Sequence, residues 1–136
     1  MHTKSLGHAE TRSISIATPP ATVLDLLGDA RRLPNWAPAF ASAVKPDGED
    51  WLIDSGGTEF RIRLEFSPEH GIVDLTRPGD PGRGARMRVL PNEGGSEFVF
   101  TLIFPAGTPD DVIAGQMATV EDELRTVREL CEGGGG

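Results

Sequence analysis

Few side chains in this sequence are equipped for chemistry, and each can be weighed alone. There are three histidines (His2, His8 and His70), two lysines (Lys4 and Lys45), one cysteine (Cys131) and no tyrosine. His70 is of the residue type that most often serves as a general base. It lies in Pro68-Glu69-His70-Gly71, which is turn chemistry. It therefore reads as an exposed turn residue, and it stands as the catalytic candidate only because no stronger one is present. His2 and His8 match no known metal-ligand spacing and have no evident third partner. Neither a metal nor a cofactor is expected. Cys131 can close no internal disulfide and build no cysteine-rich zinc site. Asp54 and Asp74 are candidates for a pair of catalytic carboxylates. Strand alternation sends both outward near Arg61 and Arg63, so solvated ion pairs across strands are the simpler reading. Arg77, Arg83, Arg86 and Arg88 form a basic cluster that would suit an anionic ligand or an acidic partner. The same cluster reads as the wet outer face of a strand, with Pro78–Arg83 as a loop near a cavity entrance. Gly79-x-x-Gly82-x-Gly84 lacks the Lys-Ser/Thr and the following helix of a phosphate loop.

These residues must be positioned by one domain of 136 residues. Its expected extent is 10–132, between a flexible N-terminus (1–9) and a glycine tail (133–136). No apolar run reaches the roughly 20 residues of a membrane helix, and the N-terminus has no apolar signal-peptide stretch. The expected compartment is the cytoplasm, without membrane insertion. The net charge is −8, which disfavours nucleic acid as a partner.

Residues 12–17 alternate as a strand. Thr18-Pro19-Pro20 starts a helix with Thr18 as its expected cap, and a second short helical piece covers Ala30–Trp36. Strands follow at 40–45, 50–55, 58–66, 72–77, 84–90 and 97–104, separated by turn sequences. A long helix opens at Thr108-Pro109-Asp110-Asp111, with Thr108 as cap. Its stripe is Ile113, Met117, Val120, Leu124, Val127 and Cys131, at helical spacing. The expected class is α+β: a seven-stranded antiparallel sheet around a long C-terminal helix, with two short helices between the first two strands.

Turn positions decide which side chains face inward. A loop at Gly56-Gly57 pairs Ile53 with Phe60 and Trp51 with Ile62. A turn at Glu69-His70 pairs Phe66 with Val73 and Leu64 with Leu75. A loop at Asn92–Gly95 pairs Val89 with Phe98, Met87 with Phe100 and Ala85 with Leu102. A loop at Pro46–Glu49 pairs Val44 with Trp51 and Ser42 with Ile53. The inner face then collects apolar residues, including Phe40 and Phe104, with no charge from strands 50–104. Its polar groups are the hydroxyls of Ser42, Ser55 and Thr58, with Gln116 beside the helix stripe.

The run Ser13-Ile-Ser-Ile-Ala-Thr-Pro-Pro-Ala-Thr-Val-Leu-Asp-Leu-Leu-Gly-Asp-Ala, then Leu33-Pro-Asn-Trp36-Ala-Pro, then the helix Thr108–Glu132 resemble the SRPBCC superfamily, the START-like polyketide cyclase/dehydrase and lipid-transport relatives. The resemblance implies the helix-grip fold and a cavity between the last helix and the sheet for a small hydrophobic, lipid- or polyketide-like molecule. The expected ligand-binding residues are Ser42, Trp51, Ile53, Ser55, Thr58, Phe60, Ile62, Met87, Val89, Phe98, Phe100, Gln116, Met117, Val120 and Leu124. Apolar walls with a few hydroxyl anchors suit such a ligand. The alternatives are a cyclase/dehydratase acting on a polyketide-like substrate, and an interaction protein with a filled core. A homodimer is open, with Val99 and Ile103 on the outer face as its candidate patch. Trp36 is expected to anchor the short helices or to join the cavity wall.

Overall fold

A computed structural model describes residues 6–133, with Pro81 and Arg83 described as backbone only. Seven strands form one sheet in the order β1-β7-β6-β5-β4-β3-β2. They are β1 (His8–Ile16), β2 (Ala43–Asp47), β3 (Asp50–Ser55), β4 (Thr58–Ser67), β5 (Ile72–Arg77), β6 (Asp80–Asn92) and β7 (Gly95–Phe104). Strands β2 to β7 are a meander of antiparallel neighbours, and β1 closes onto β7. Helices α1 (Pro20–Leu27) and α2 (Leu33–Trp36) lie between β1 and β2, and α3 (Asp110–Gly133) follows β7. Helix α3 packs against β1, β7, α1 and α2. Arg12 on β1 ties it down through Glu121, Nε to Oε2 at 3.0 Å, and the Ala17 amide donates to Glu132 at 2.8 Å.

Three of the four turn assignments match the observed register: Ile53 opposes Phe60, Leu64 opposes Leu75, and Met87 opposes Phe100. The fourth is displaced. Val44 faces Ile53, and Trp51 faces Pro46. The connection is the tight pair Gly48-Glu49, with Gly48 in left-handed conformation at φ 64°. Pro46 is accommodated inside β2 because β2 is an edge strand and needs fewer ladder donors. The displacement is two residues, so every side chain keeps its face.

Both expected caps are displaced by one residue. Pro19 occupies the N-cap of α1, and the Thr18 hydroxyl is buried without a partner. In α3 the Pro109 carbonyl accepts from Ile113 at 3.1 Å, whereas the Thr108 hydroxyl turns back and donates to Pro105 at 2.6 Å. The extended backbone that suits an N-cap is one that proline itself supplies.

Asp74 does not pair with Arg61 or Arg63, which bind Asp47 and Asp50 instead. Its carboxylate accepts from Arg86 at 3.0 Å and Arg88 at 2.7 Å, because Asp74 lies directly opposite Arg86 on β6. The two guanidiniums cover it, so it is buried on the outer face rather than solvated. Asp54 caps its own turn, accepting from the Gly57 amide at 2.8 Å. Asp74→Ala removes two charge-assisted bonds, but the arginines are partly exposed and regain water. The expected loss is about 1–2 kcal/mol, read from urea unfolding.

Candidate functional site

The inner face of the sheet is filled at one end and hollow at the other. Val23, Leu24, Leu26 and Leu27 of α1 are all buried, and α1 packs on β6 and β7. They cover the end of the sheet that holds Met87, Val89 and Phe98. At the opposite end, beneath the N-terminal half of α3, lies a cavity of about 410 Å³. Trp36, Ala37, Ala39 and Phe40 wall one side, and Phe60, Ile62, Leu75 and Ala85 rise from the sheet floor. Phe100, Leu102 and Phe104 line the far end of β7, and Gln116, Thr119, Val120 and Glu123 descend from α3. The Phe40 and Phe60 rings meet edge to face at 5.5 Å between centroids.

This geometry divides the expected ligand-binding residues. Ser55, Phe60, Ile62, Phe100, Gln116 and Val120 line the cavity. Ile53, Met87, Val89, Phe98, Met117 and Leu124 are buried in the packed core outside its lining. Ser42 is exposed and donates to the Asp54 carbonyl at 2.8 Å. Thr58 is exposed beside its turn. Trp51 is covered by the Arg31 guanidinium, 4.9 Å from its ring centroid. Phe66, on the inward parity, is 40% exposed, its ring packed against Gly28. Trp36 does both things expected of it, being 2% exposed and part of the wall. Its Nε1 is buried without a hydrogen-bond partner.

Two charged residues enter the lining against expectation. Arg77 shares parity with Val73 and Leu75, so the alternation of β5 carries it inward. Its guanidinium stands over the Phe60 ring, 4.4 Å from the centroid. Arg86 and Arg88 have the opposite parity and stay with Asp74, so the basic cluster does not converge. The Arg83 side chain lies outside what is described. Glu123 is the second. It is 8% exposed and has no hydrogen-bond or ion-pair partner among the described residues. Burial, with the neighbouring Asp122 charge adding to it, pushes its carboxyl up to about 7 from the usual 4.5. A signal for it existed: Glu123 is seven residues beyond Gln116, on the same side of the helix.

The strand that carries Arg77 is irregular at this point. Thr76 faces Gly84 but Arg77 faces Asp80, so residues 81–83 are extra on β6. This bulge sits at the cavity rim, the usual place for re-aiming a side chain. Gly84 makes it possible, because its φ is 143° and a Cβ there would lie 1.9 Å from the Leu75 carbonyl oxygen.

The remaining candidates fall away from the cavity. His70 is exposed in its turn, with Nδ1 2.9 Å from the Ser67 hydroxyl. His8 pairs with Glu10 on β1, and His2 lies outside the described residues. No group of three potential metal ligands occurs among the described residues. Cys131 is buried on α3, and burial raises its thiol above the ordinary value.

Many solved structures share this architecture. The Aha1 dimer protein of Colwellia psychrerythraea aligns with a TM-score of 0.75 and 15% identity, covering 95% of this chain and 99% of that one. The Zhui aromatase/cyclase of Streptomyces sp. R1128 gives 0.71 and 16%, covering 93% and 94%. XoxI of Bacillus cereus gives 0.71 and 20%, covering 89% and 93%. At these identities the likeness is one of fold. No curated protein matches by sequence. Residues 8–132 match the family described as polyketide cyclase / dehydrase and lipid transport. With nearly the whole chain matched and the helix-grip architecture in place, the protein belongs to that SRPBCC family.

Proposed function

We propose that this protein binds a small hydrophobic molecule in the cavity between α3 and the sheet. The observation that carries this reading is the cavity itself: about 410 Å³, walled mainly by aromatic and aliphatic side chains with a few polar groups. Such volume and lining are typical of small-molecule sites. Apolar burial, at roughly 25 cal/mol per Å², drives the binding. The family supports the reading, since its description names lipid transport. A cytoplasmic location is part of what we propose; among the described residues no helix is long and apolar enough to cross a membrane.

Native mass spectrometry of protein purified from its own cells tests this directly. A one-to-one adduct that is lost on denaturation is the expected result. Ala85 faces Leu75 and Leu102 on the cavity floor, so Ala85→Phe fills the hollow. Titration with a fluorescent naphthalene probe is expected to show affinity falling at least about tenfold in that variant, on the order of 1.4 kcal/mol. Equal affinity in a folded Ala85→Phe protein excludes this cavity as the site.

A second reading is a cyclase/dehydratase on a polyketide-like substrate. The observation in its favour is Glu123, whose carboxyl at about 7 is suited to general acid–base work. Turnover that disappears in Glu123→Gln while probe binding persists selects the enzyme over the binder.

A further inference from the structure

The cavity lining contains two ionisable side chains among the described residues, and they differ in burial. Arg77 is exposed at the rim, where water screens its charge. Glu123 is buried, and nothing among the described residues donates a hydrogen bond to its carboxyl or pairs with it. A buried carboxyl is normally paired. Here the space beside it is the cavity. A ligand in that space can supply the missing partner.

The geometry points to a ligand class: an apolar molecule carrying a basic amine, its body against Phe60, Ile62 and Phe100 and its ammonium against Glu123. The assignment rests on the binding reading above and deepens it. An ammonium is the group that gains most from such a carboxylate, because the charge-assisted bond forms where the dielectric is low. A hydroxyl gains a neutral hydrogen bond only. A carboxylate is repelled. The acidic balance of the whole chain, −8, draws cations toward the protein as well. Arg77 does not reverse the sign of the interior. Its guanidinium already lies against the Phe60 ring at 4.4 Å, and its exposure limits its reach.

Docking an ammonium also changes the protonation of Glu123. Burial holds this carboxyl up to about 7, so part of it is protonated at pH 7. The ion pair requires it to be ionised, so the amine expels protons on binding at that pH. A ligand with no charge expels none.

Three naphthalene probes with one apolar body separate the possibilities: 2-(1-naphthyl)ethylamine, 2-(1-naphthyl)ethanol and 1-naphthylacetate. They are titrated calorimetrically into the full chain at pH 7, in two buffers of different ionisation enthalpy. The amine is expected to bind at least about tenfold more tightly than the alcohol and to release protons. In Glu123→Gln the amine is expected to fall to the alcohol's affinity and release nothing. Circular dichroism and urea unfolding report that the variant is folded, and Glu123→Asp gives a second reading by retaining part of the preference. A tighter alcohol means that neutral hydrogen bonding, and not the Glu123 charge, sets the ligand's polarity, and overturns the inference. A tighter naphthylacetate means that Arg77 sets it, and overturns the inference equally. An amine preference that survives in Glu123→Gln overturns it too. In each of those cases the binding reading stands. If none of the three probes binds, both fail together.

Discussion

Glu123→Gln is expected to make the folded protein more stable at pH 8.5, by up to about 3 kcal/mol, and to leave it nearly unchanged at pH 4. The reason is the cost of ionising a carboxyl inside the cavity wall. In the unfolded chain Glu123 loses its proton near 4.5, whereas in the folded protein it keeps it to about 7. Between those values the folded state holds more protons, so raising the pH favours unfolding. The penalty is absent below about 4.5, builds as pH rises toward 7, and is complete above it. At 1.36 kcal/mol per pH unit it reaches about 3 kcal/mol, an order-of-magnitude value. For a domain of this size that corresponds to about 10 °C in Tm. Glutamine is close to isosteric and never ionises. The decisive quantity is the stability difference between variant and parent, measured by urea unfolding from pH 4 to 9. Charge effects common to both proteins cancel in it. A difference that is flat with pH shows that Glu123 ionises freely in the folded protein.

Gly84→Ala is expected to cost about 3–4 kcal/mol. The added Cβ would lie 1.9 Å from the Leu75 carbonyl oxygen and 2.8 Å from the Thr76 Cα. Both are backbone atoms, so no side-chain rotation relieves the overlap and the β5–β6 ladder must part. Backbone displacement of that kind typically costs about 1–3 kcal/mol, and the φ of 143° adds strain for any residue with a side chain. Gly79→Ala separates the two contributions. Gly79 has φ 85° but nothing within 4 Å of its Cβ position, so only the strain remains, about 1 kcal/mol. Equal losses in the two variants, by denaturant unfolding, rule out the steric argument at Gly84. The bulge aims Arg77, so Gly84→Ala is also expected to alter the affinity of the anionic naphthylacetate probe.

Most of the sheet was legible because alternation and turn chemistry are local. Gly56-Gly57, Pro68–Gly71 and Asn92–Gly95 each constrain their own hairpin, and parity then propagates along the strand. Even the displaced β2–β3 turn cost nothing in facing, since the displacement was even. The bulge was not legible. Its cause is the approach of Gly84 to the Leu75 backbone, which depends on the neighbouring strand. Glu123 was hidden differently. It lies between Asp122, which is exposed, and Leu124, which is buried, and a carboxylate on the flank of an apolar stripe ordinarily reaches water. Arg77 was obscured by its cluster: grouping it with Arg86 and Arg88 by charge overrode the parity that assigns it to the other face.

The sequence by itself determined the order of elements, the antiparallel pairing, the apolar inner face and the poverty of catalytic side chains. These follow from periods of two and 3.6 and from where glycine and proline interrupt them. Tertiary structure alone decided which half of that face is core and which half is cavity. Parity assigns Phe98 and Phe100 to the same side and is blind to what stands above each. Phe98 is fully buried in the packed core, at the end of the sheet that α1 covers, and Phe100 borders the hollow under α3. That distinction depends on the angle at which two helices cross one sheet, which is a long-range packing outcome that no local pattern encodes.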